Sequence, residues 1–196
     1  MHRKLIILAV GLCLAAHLLA LRLSGANPAS DPISALSQGP GAIVHSAGLL
    51  ALAAAWLLLV AGLWGRESRW LWRSGCALLL LCVPILLYVA YYFSSASTER
   101  LLGDHANDPL AVLASVLGVA MAALQPGLLR AGAAFARANG IILFLWIALV
   151  PVIPLIEASW LGAYERTVGA LMLCWTAALA LLSSAEPART EAAPVA

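Results

Sequence analysis

The segment GAIVHSAGLLALAAAWLLLVAGLW, residues Gly41 to Trp64, decides the fold class of this chain. It contains no Asp, Glu, Lys or Arg. It is longer than the roughly 20 residues that an α-helix needs to cross a bilayer. Its apolar residues do not alternate with polar ones, so a strand of a membrane barrel is a poor interpretation. The segment therefore predicts a transmembrane helix.

Five further stretches have a similar length and composition. They are Leu5 to Leu23, Ser74 to Phe93, Pro109 to Leu129, Gly140 to Ile156, and Leu161 to Leu182. The connections between them are short, which favours antiparallel neighbours in a bundle. We therefore expect an all-α fold, a polytopic membrane bundle of six transmembrane helices in one domain over residues 1–183. A disordered cytoplasmic tail is expected over residues 184–196.

The composition supports lipid as the solvent for most of the chain. Of the 196 residues, 63% are apolar and 10% are charged, and the mean hydropathy is +0.96. An ordinary soluble domain has about 25% charged residues. These values exclude a soluble globular domain and a disordered chain. The net charge of +2 is too small to attract a polyanion, so no nucleic-acid partner is expected.

The charged residues are sorted by side, and this predicts the orientation, because cytoplasmic loops collect Lys and Arg. With the N-terminus inside, the inner side holds eight of the eleven basic residues: Arg3, Lys4, Arg66, Arg69, Arg73, Arg130, Arg137 and Arg189. The outer side then holds six of the nine acidic residues: Asp31, Glu99, Asp104, Asp108, Glu157 and Glu165. Both termini are therefore expected in the cytoplasm. The first apolar run is longer than that of a typical cleaved signal, which favours a retained helix.

The first outer loop, Asn27 to Gly41, is predicted to contain a short helix. Asp31 is a favourable N-cap, and Pro32 suits the first helical position because proline lacks an N–H. Gly39 suits the end of such a helix.

Most polar residues that lie within or beside the helices fall in the outer half of the bundle. Polar groups are costly in lipid and usually face the bundle interior or a cavity. This one-sided clustering predicts a polar pocket that faces outward. Its candidate members are His17, Arg22, His45, His105, Asp108, Glu157, Glu165 and Arg166.

Several functions remain open for such a pocket. The leading hypothesis is a protein without enzymatic activity or cofactor that binds a membrane-lipid head group, because Arg pairs well with phosphate. The same charges could simply lock the bundle. A membrane-embedded, metal-dependent hydrolase or transferase at the outer leaflet is the main alternative, with His17, His45 and His105 as candidate ligands. An accessory subunit of a membrane complex, whose protein partner supplies the activity, is the third possibility.

Four segments carry a family resemblance in their order along the chain. They are NPASDPISALSQGPGAIVH (Asn27 to His45), YVAYYF (Tyr88 to Phe93), NDPLAVLASVLGVAMAALQPGL (Asn107 to Leu128) and LGAYER (Leu161 to Arg166). Together they resemble the bacterial and archaeal membrane proteins grouped as domain of unknown function 998, which are similar to the six-helix Frag/DRAM/Sfk-like proteins. The resemblance implies a six-helix bundle with its N-terminus inside, and it implies no particular reaction. We expect the protein in a bacterial inner (cytoplasmic) membrane. The candidate functional residues that it marks are Asp31, Ser34, His45, Asp108, Glu165 and Arg166.

Overall fold

A computed structural model describes residues 2–37, 39–94 and 109–182 of the chain. These residues form six α-helices, and each is long and apolar enough to cross a membrane. The helices are α1 (His2–Ser24), α2 (Ala42–Leu63), α3 (Trp70–Ser94), α4 (Pro109–Ala131), α5 (Ala133–Leu149) and α6 (Ala158–Leu182). The described residues contain no strand. The predicted all-α fold with six membrane-spanning helices is thereby confirmed, whereas residues 184–196 lie outside the described residues.

The fifth helix differs most from the expected boundaries. It begins at Ala133, not at Gly140, and its α-helical part ends at Leu149. The following residues, Val150–Leu155, continue as a 3-10 helix that contains two prolines. A proline has no N–H for the i−4 hydrogen bond and its ring crowds the preceding turn. This is why the regular α-helix stops before the end of the apolar stretch.

Consecutive helices pack against each other, and α6 returns to pack against α1. Two hydrogen bonds show that neighbours run antiparallel. The Ser46 hydroxyl near the start of α2 donates to Ala90 O near the end of α3 at 2.9 Å. The Trp146 indole near the end of α5 donates to Ala114 O near the start of α4 at 3.0 Å. The loop with Asp31 therefore lies at one end of the bundle, the Asp31 end. The loop with Glu67 lies at the other, the Glu67 end.

Small residues bring α1 and α2 into close contact near the Asp31 end. A Cβ atom added at Gly41 would lie 2.6 Å from Ala20 O, and one added at Gly48 would lie 2.8 Å from Ala16 Cβ. Membrane helices use such small residues because close backbone approach supplies the packing that drives their association. The contact places His17 of α1 beside α2.

A buried polar network joins α4, α5 and α6 deeper in the bundle. The Asn139 amide nitrogen donates to Gln125 Oε1 at 2.6 Å and to Met121 O at 3.1 Å. Its amide oxygen accepts from the Trp175 indole at 2.7 Å. The Gln125 amide nitrogen donates to Ala136 O at 3.0 Å. Asn139 falls between the predicted fourth and fifth helices, but its side chain is 2% exposed and joins three helices.

At the Glu67 end, an ion pair joins the loop between α2 and α3 to the last turn of α4. Arg130 Nε donates to Glu67 Oε2 at 2.7 Å, and Arg69 Nε lies 3.9 Å from Glu67 Oε1. The hydrogen bond from Arg130 is the main cause that lowers the pKa of the Glu67 carboxyl below its ordinary value of 4.5.

This lowered pKa predicts a small loss of stability in acid. The ion pair contributes in full above the ordinary Glu pKa, and its contribution disappears as the pH falls through the lowered value. We expect the thermal midpoint of the detergent-purified protein to fall over that acid range by more than that of a Glu67→Gln variant. Circular dichroism during heating measures both. Identical pH profiles for the two proteins would contradict the expectation.

Candidate functional site

The loop after α1 folds on itself in a tight turn around Asp31. Gly25 ends α1 with a φ of 67°, a backbone conformation that glycine adopts at low cost. Asp31 N donates to Asn27 O at 2.9 Å, and Asp31 Oδ2 accepts from Asn27 N at 2.8 Å. Ser30 Oγ donates to Asp31 Oδ1 at 3.2 Å. The carboxylate that we expected to act as an N-cap therefore closes its own turn.

Glu165 of α6 supplies the carboxylate at the start of the loop helix. The structure has a 3-10 helix over Ile33–Ser37, and Ile33 N donates to Glu165 Oε2 at 2.6 Å. Free N–H groups at the start of a helix favour a negatively charged acceptor. The acceptor comes from a helix 132 residues away, so no local capping pattern indicates it.

Arg166 holds the same loop through one nitrogen. Its Nη1 donates to Pro28 O at 3.0 Å and to Asp31 O at 2.7 Å. Nearby, Ala163 N donates to Ala29 O at 2.9 Å. Gly162 permits this approach, because a Cβ atom there would collide with Asp31 O and Arg166 Nη1. The loop is thus attached to the first turns of α6.

Two histidines lie next to this attachment. The rings of His17 and His45 meet edge to face, with centroids 5.4 Å apart and planes at 63°. His45 is 4% exposed, and His17 is half-buried. α1 packs against both α2 and α6, and the positive charge of Arg166 acts on both rings, so we group the three side chains as one cluster. We call it the Arg166 cluster.

The Arg166 cluster contains buried polar atoms without hydrogen-bond partners among the described residues: Arg166 Nε, Arg166 Nη2 and His17 Nε2. Nε and Nη2 lie on one edge of the planar guanidinium, and this edge can donate two parallel hydrogen bonds to a carboxylate or a phosphate. Leaving a buried donor unpaired costs about 1–3 kcal/mol, and more for a charged group. An anion with two oxygens at this edge would remove that cost.

The structure brings together four of the six residues that the resemblance marked, namely Asp31, His45, Glu165 and Arg166. The backbone of Ser34 lies in the 3-10 helix at the same end. Asp108 lies outside the described residues, as does His105. His17, which was predicted both as a member of the pocket and as a candidate metal ligand, lies in the cluster. Arg22 and Glu157, which the sequence also placed near the pocket, are exposed.

A metal centre lacks support in the described part of the chain. Residues 2–37, 39–94 and 109–182 contain no group of three or more His, Cys, Asp or Glu side chains that could hold a metal ion. Structural and catalytic zinc sites use three or four protein ligands. His17 and His45 supply two, and the third candidate, His105, lies outside the described residues.

These features define the class of this protein. It is an integral membrane protein, built as a helical bundle with a buried polar cluster near one end. The chain belongs to the family described as Protein of unknown function (DUF998), whose family model matches residues 7–182. This confirms the resemblance inferred from the sequence. No curated protein and no solved structure matches the chain.

Proposed function

We propose that this protein binds the phosphate of a membrane-lipid head group at the Arg166 cluster. One observation carries the proposal: the Nε and Nη2 edge of Arg166 is buried and has no hydrogen-bond partner among the described residues. The Nη1 atom fixes the guanidinium to two carbonyl oxygens of the loop. The donor edge is therefore held in place before a ligand arrives, which reduces the entropy cost of binding.

The position of the cluster suits a lipid better than a ligand that crosses the membrane. His17 lies near the end of α1, His45 lies near the start of α2, and Arg166 lies within the first turns of α6. A phosphate in this position would sit close to the interface, and its acyl chains could extend along the apolar helix surfaces. Exposed leucines on α1, such as Leu14 and Leu18, supply such a surface.

The distribution of basic residues supports the outer leaflet as the source of the lipid. Arg66, Arg69, Arg73 and Arg130 belong to the Glu67 end. If this end faces the cytoplasm, as the positive-inside rule favours, the Arg166 cluster faces the opposite leaflet. For a bacterial protein, that would be the outer leaflet of the cytoplasmic membrane.

Structural locking is the competing interpretation of the same charges. It accounts for Glu165, whose carboxylate accepts from Ile33 N, and for Arg166 Nη1, which holds the loop. It does not account for the other edge of Arg166, which has no hydrogen-bond partner among the residues that the structure describes. In the lipid proposal, Nη1 holds the loop, and the Nε and Nη2 edge binds the phosphate.

Native mass spectrometry of the detergent-purified protein tests the proposal. Wild-type protein should retain phospholipid, and Arg166→Gln should retain at least about tenfold less, because each charged hydrogen bond contributes about 1.5–3 kcal/mol. Arg166→Lys should lose retention similarly, because a lysine keeps the charge without the planar fork. Arg22→Gln is the matched control, since Arg22 is an exposed cation at the same end.

The proposal would be wrong if correctly folded Arg166→Gln and Arg166→Lys proteins retained as much lipid as wild type. It would also be wrong if Arg22→Gln lost as much lipid as they did, because retention would then reflect surface charge.

The His17–His45 contact favours a second candidate, a metal-dependent hydrolase or transferase. Two adjacent imidazoles can supply two of the ligands of a transition-metal site. Elemental analysis of the purified protein separates the two candidates. Stoichiometric zinc or iron that disappears in His17→Leu and His45→Leu would favour the enzyme, and metal-free protein that retains phospholipid would favour the lipid site.

A further inference from the structure

The imidazole of His17 adds a third unpaired polar atom to the Arg166 cluster. Its Nε2 atom is buried and has no hydrogen-bond partner among the residues that the structure describes. The ring is held from one side by the edge-to-face contact with His45. α1 packs against α6, and the charge of Arg166 acts on the ring of His17, so His17 lies beside the guanidinium.

We infer that the ligand is a phosphomonoester, that His17 Nε2 donates the third hydrogen bond to it, and that the anion binds together with a proton from solvent. The inference rests on the proposed function. A phosphomonoester has three terminal oxygens, and the guanidinium edge can engage two of them. A phosphodiester has two terminal oxygens, so His17 would have to share an oxygen that the guanidinium edge already engages, which gives a weaker hydrogen bond than a third oxygen of its own. A carboxylate likewise has two oxygens.

The charges around the site explain why a proton accompanies the anion. Within residues 2–37, 39–94 and 109–182, the charged and titratable groups that act on one another here are His17 of α1, His45 of α2, Glu165 and Arg166 of α6, and Asp31 of the loop. Glu165 and Asp31 act on Arg166, whereas the charge that acts on the two imidazoles is that of Arg166. An anion bound beside His17 stabilises the charged form of the imidazole, so anion binding and proton uptake favour each other. Protonation also ensures that Nε2 carries a hydrogen and can donate it, because both nitrogens of a charged imidazole are donors.

Isothermal titration calorimetry in detergent tests this inference with soluble probes. Butyl phosphate represents the monoester, dibutyl phosphate the diester, and inorganic phosphate the free anion, each at pH 6 and pH 8. Titrations in two buffers of different ionisation enthalpy report the number of protons taken up. The proteins are wild type, His17→Leu, and the control His2→Leu, which removes an exposed histidine from the same helix.

Wild type and His2→Leu should bind butyl phosphate about tenfold more tightly than dibutyl phosphate at pH 6, the effect of one charged hydrogen bond. They should also take up a proton. His17→Leu should bind both esters with similar affinity, and it should take up fewer protons on binding than wild type does. Butyl phosphate itself titrates near pH 6, but this contribution is common to all three proteins. The difference between wild type and His17→Leu therefore reports the histidine.

Equal affinity of wild type for the two esters would overturn the inference, as would an unchanged preference in His17→Leu. Lipid retention that depends on Arg166 without any monoester preference would overturn this inference and leave the proposed function standing. Failure of all three probes and of phospholipid to bind would overturn both. Inorganic phosphate that binds more tightly than butyl phosphate would support the third donor and assign the ligand to free phosphate, against the lipid source.

Discussion

Replacing Asn139 with leucine is expected to lower the free energy of unfolding by about 2–4 kcal/mol. Asn139 is the centre of the buried network between α4, α5 and α6, and both ends of its amide are engaged. Leucine has a similar size and suits the apolar surroundings. It leaves the Trp175 indole and Gln125 Oε1 without their partner. The Trp175 side chain is 1% exposed, so the cost of leaving its N–H unpaired is not recovered by a hydrogen bond to water.

Unfolding by titration with SDS in mixed micelles measures this change, with circular dichroism as the readout. Ser115→Ala is the matched control. The Ser115 hydroxyl donates within α4, to Ala111 O, and the residue is exposed, so its replacement should change stability by less than about 0.5 kcal/mol.

A double-mutant cycle separates the network from a general effect of the leucine. Trp175→Phe removes the indole N–H and keeps an aromatic ring. Combined with Asn139→Leu, it should destabilise the protein by less than the sum of the two single changes, because the second replacement removes the donor that the first left unpaired. Additive effects, or an Asn139→Leu protein as stable as Ser115→Ala, would show that the network contributes little.

The six-helix fold could be predicted because each helix has a local signal. A long apolar run without charges has few alternatives to a spanning helix, since lipid offers no partner for backbone N–H and C=O groups. The apolar run that predicts a helix was least clear at the start of α5. There Arg137 and Asn139 interrupt the apolar run, and the helix was expected to begin only at Gly140. Asn139 is tolerated inside the helix because α4 and α6 supply its hydrogen-bond partners.

The membership of the candidate site could be predicted in part, but the roles of its residues could not. Polar residues in lipid gather on the bundle interior, so Asp31, His45, Glu165 and Arg166 were expected near one another. No nearby sequence pattern indicates that Asp31 closes its own turn while Glu165 accepts from the start of the loop helix. Asp31 looks like the N-cap of the loop helix because of its position before Pro32, yet Glu165 makes that contact from α6. Only the packing of the loop on α6 decides which carboxylate is nearer.

Replacing Gly162 with alanine is expected to detach the loop from α6 and to weaken lipid binding with it. The added Cβ atom would collide with Asp31 O and with Arg166 Nη1, and both atoms belong to the attachment. A misfit of this kind in a packed site costs typically 1–3 kcal/mol, so we expect about that loss in the free energy of unfolding. The loop can escape the collision by moving away, which would also release the guanidinium of Arg166.

Gly169→Ala on the same helix is the matched control, because a Cβ atom there would meet Ile33 Cδ1 at an ordinary 3.9 Å. Alanine is also the better helix former by about 1 kcal/mol, so this variant should be as stable as wild type or slightly more stable. Limited proteolysis within residues 25–37 should be faster in Gly162→Ala than in Gly169→Ala, and native mass spectrometry should show less retained phospholipid.

The two readouts together decide what the loop does. If Gly162→Ala increases cleavage of the loop and lowers lipid retention, the loop holds the donor edge of Arg166 in its binding position. If cleavage increases while lipid retention stays at the wild-type level, Arg166 binds its ligand without the loop, and the contacts of Nη1 with Pro28 O and Asp31 O serve stability alone. A Gly162→Ala protein that matches Gly169→Ala in stability and cleavage would contradict the close packing of the loop on α6.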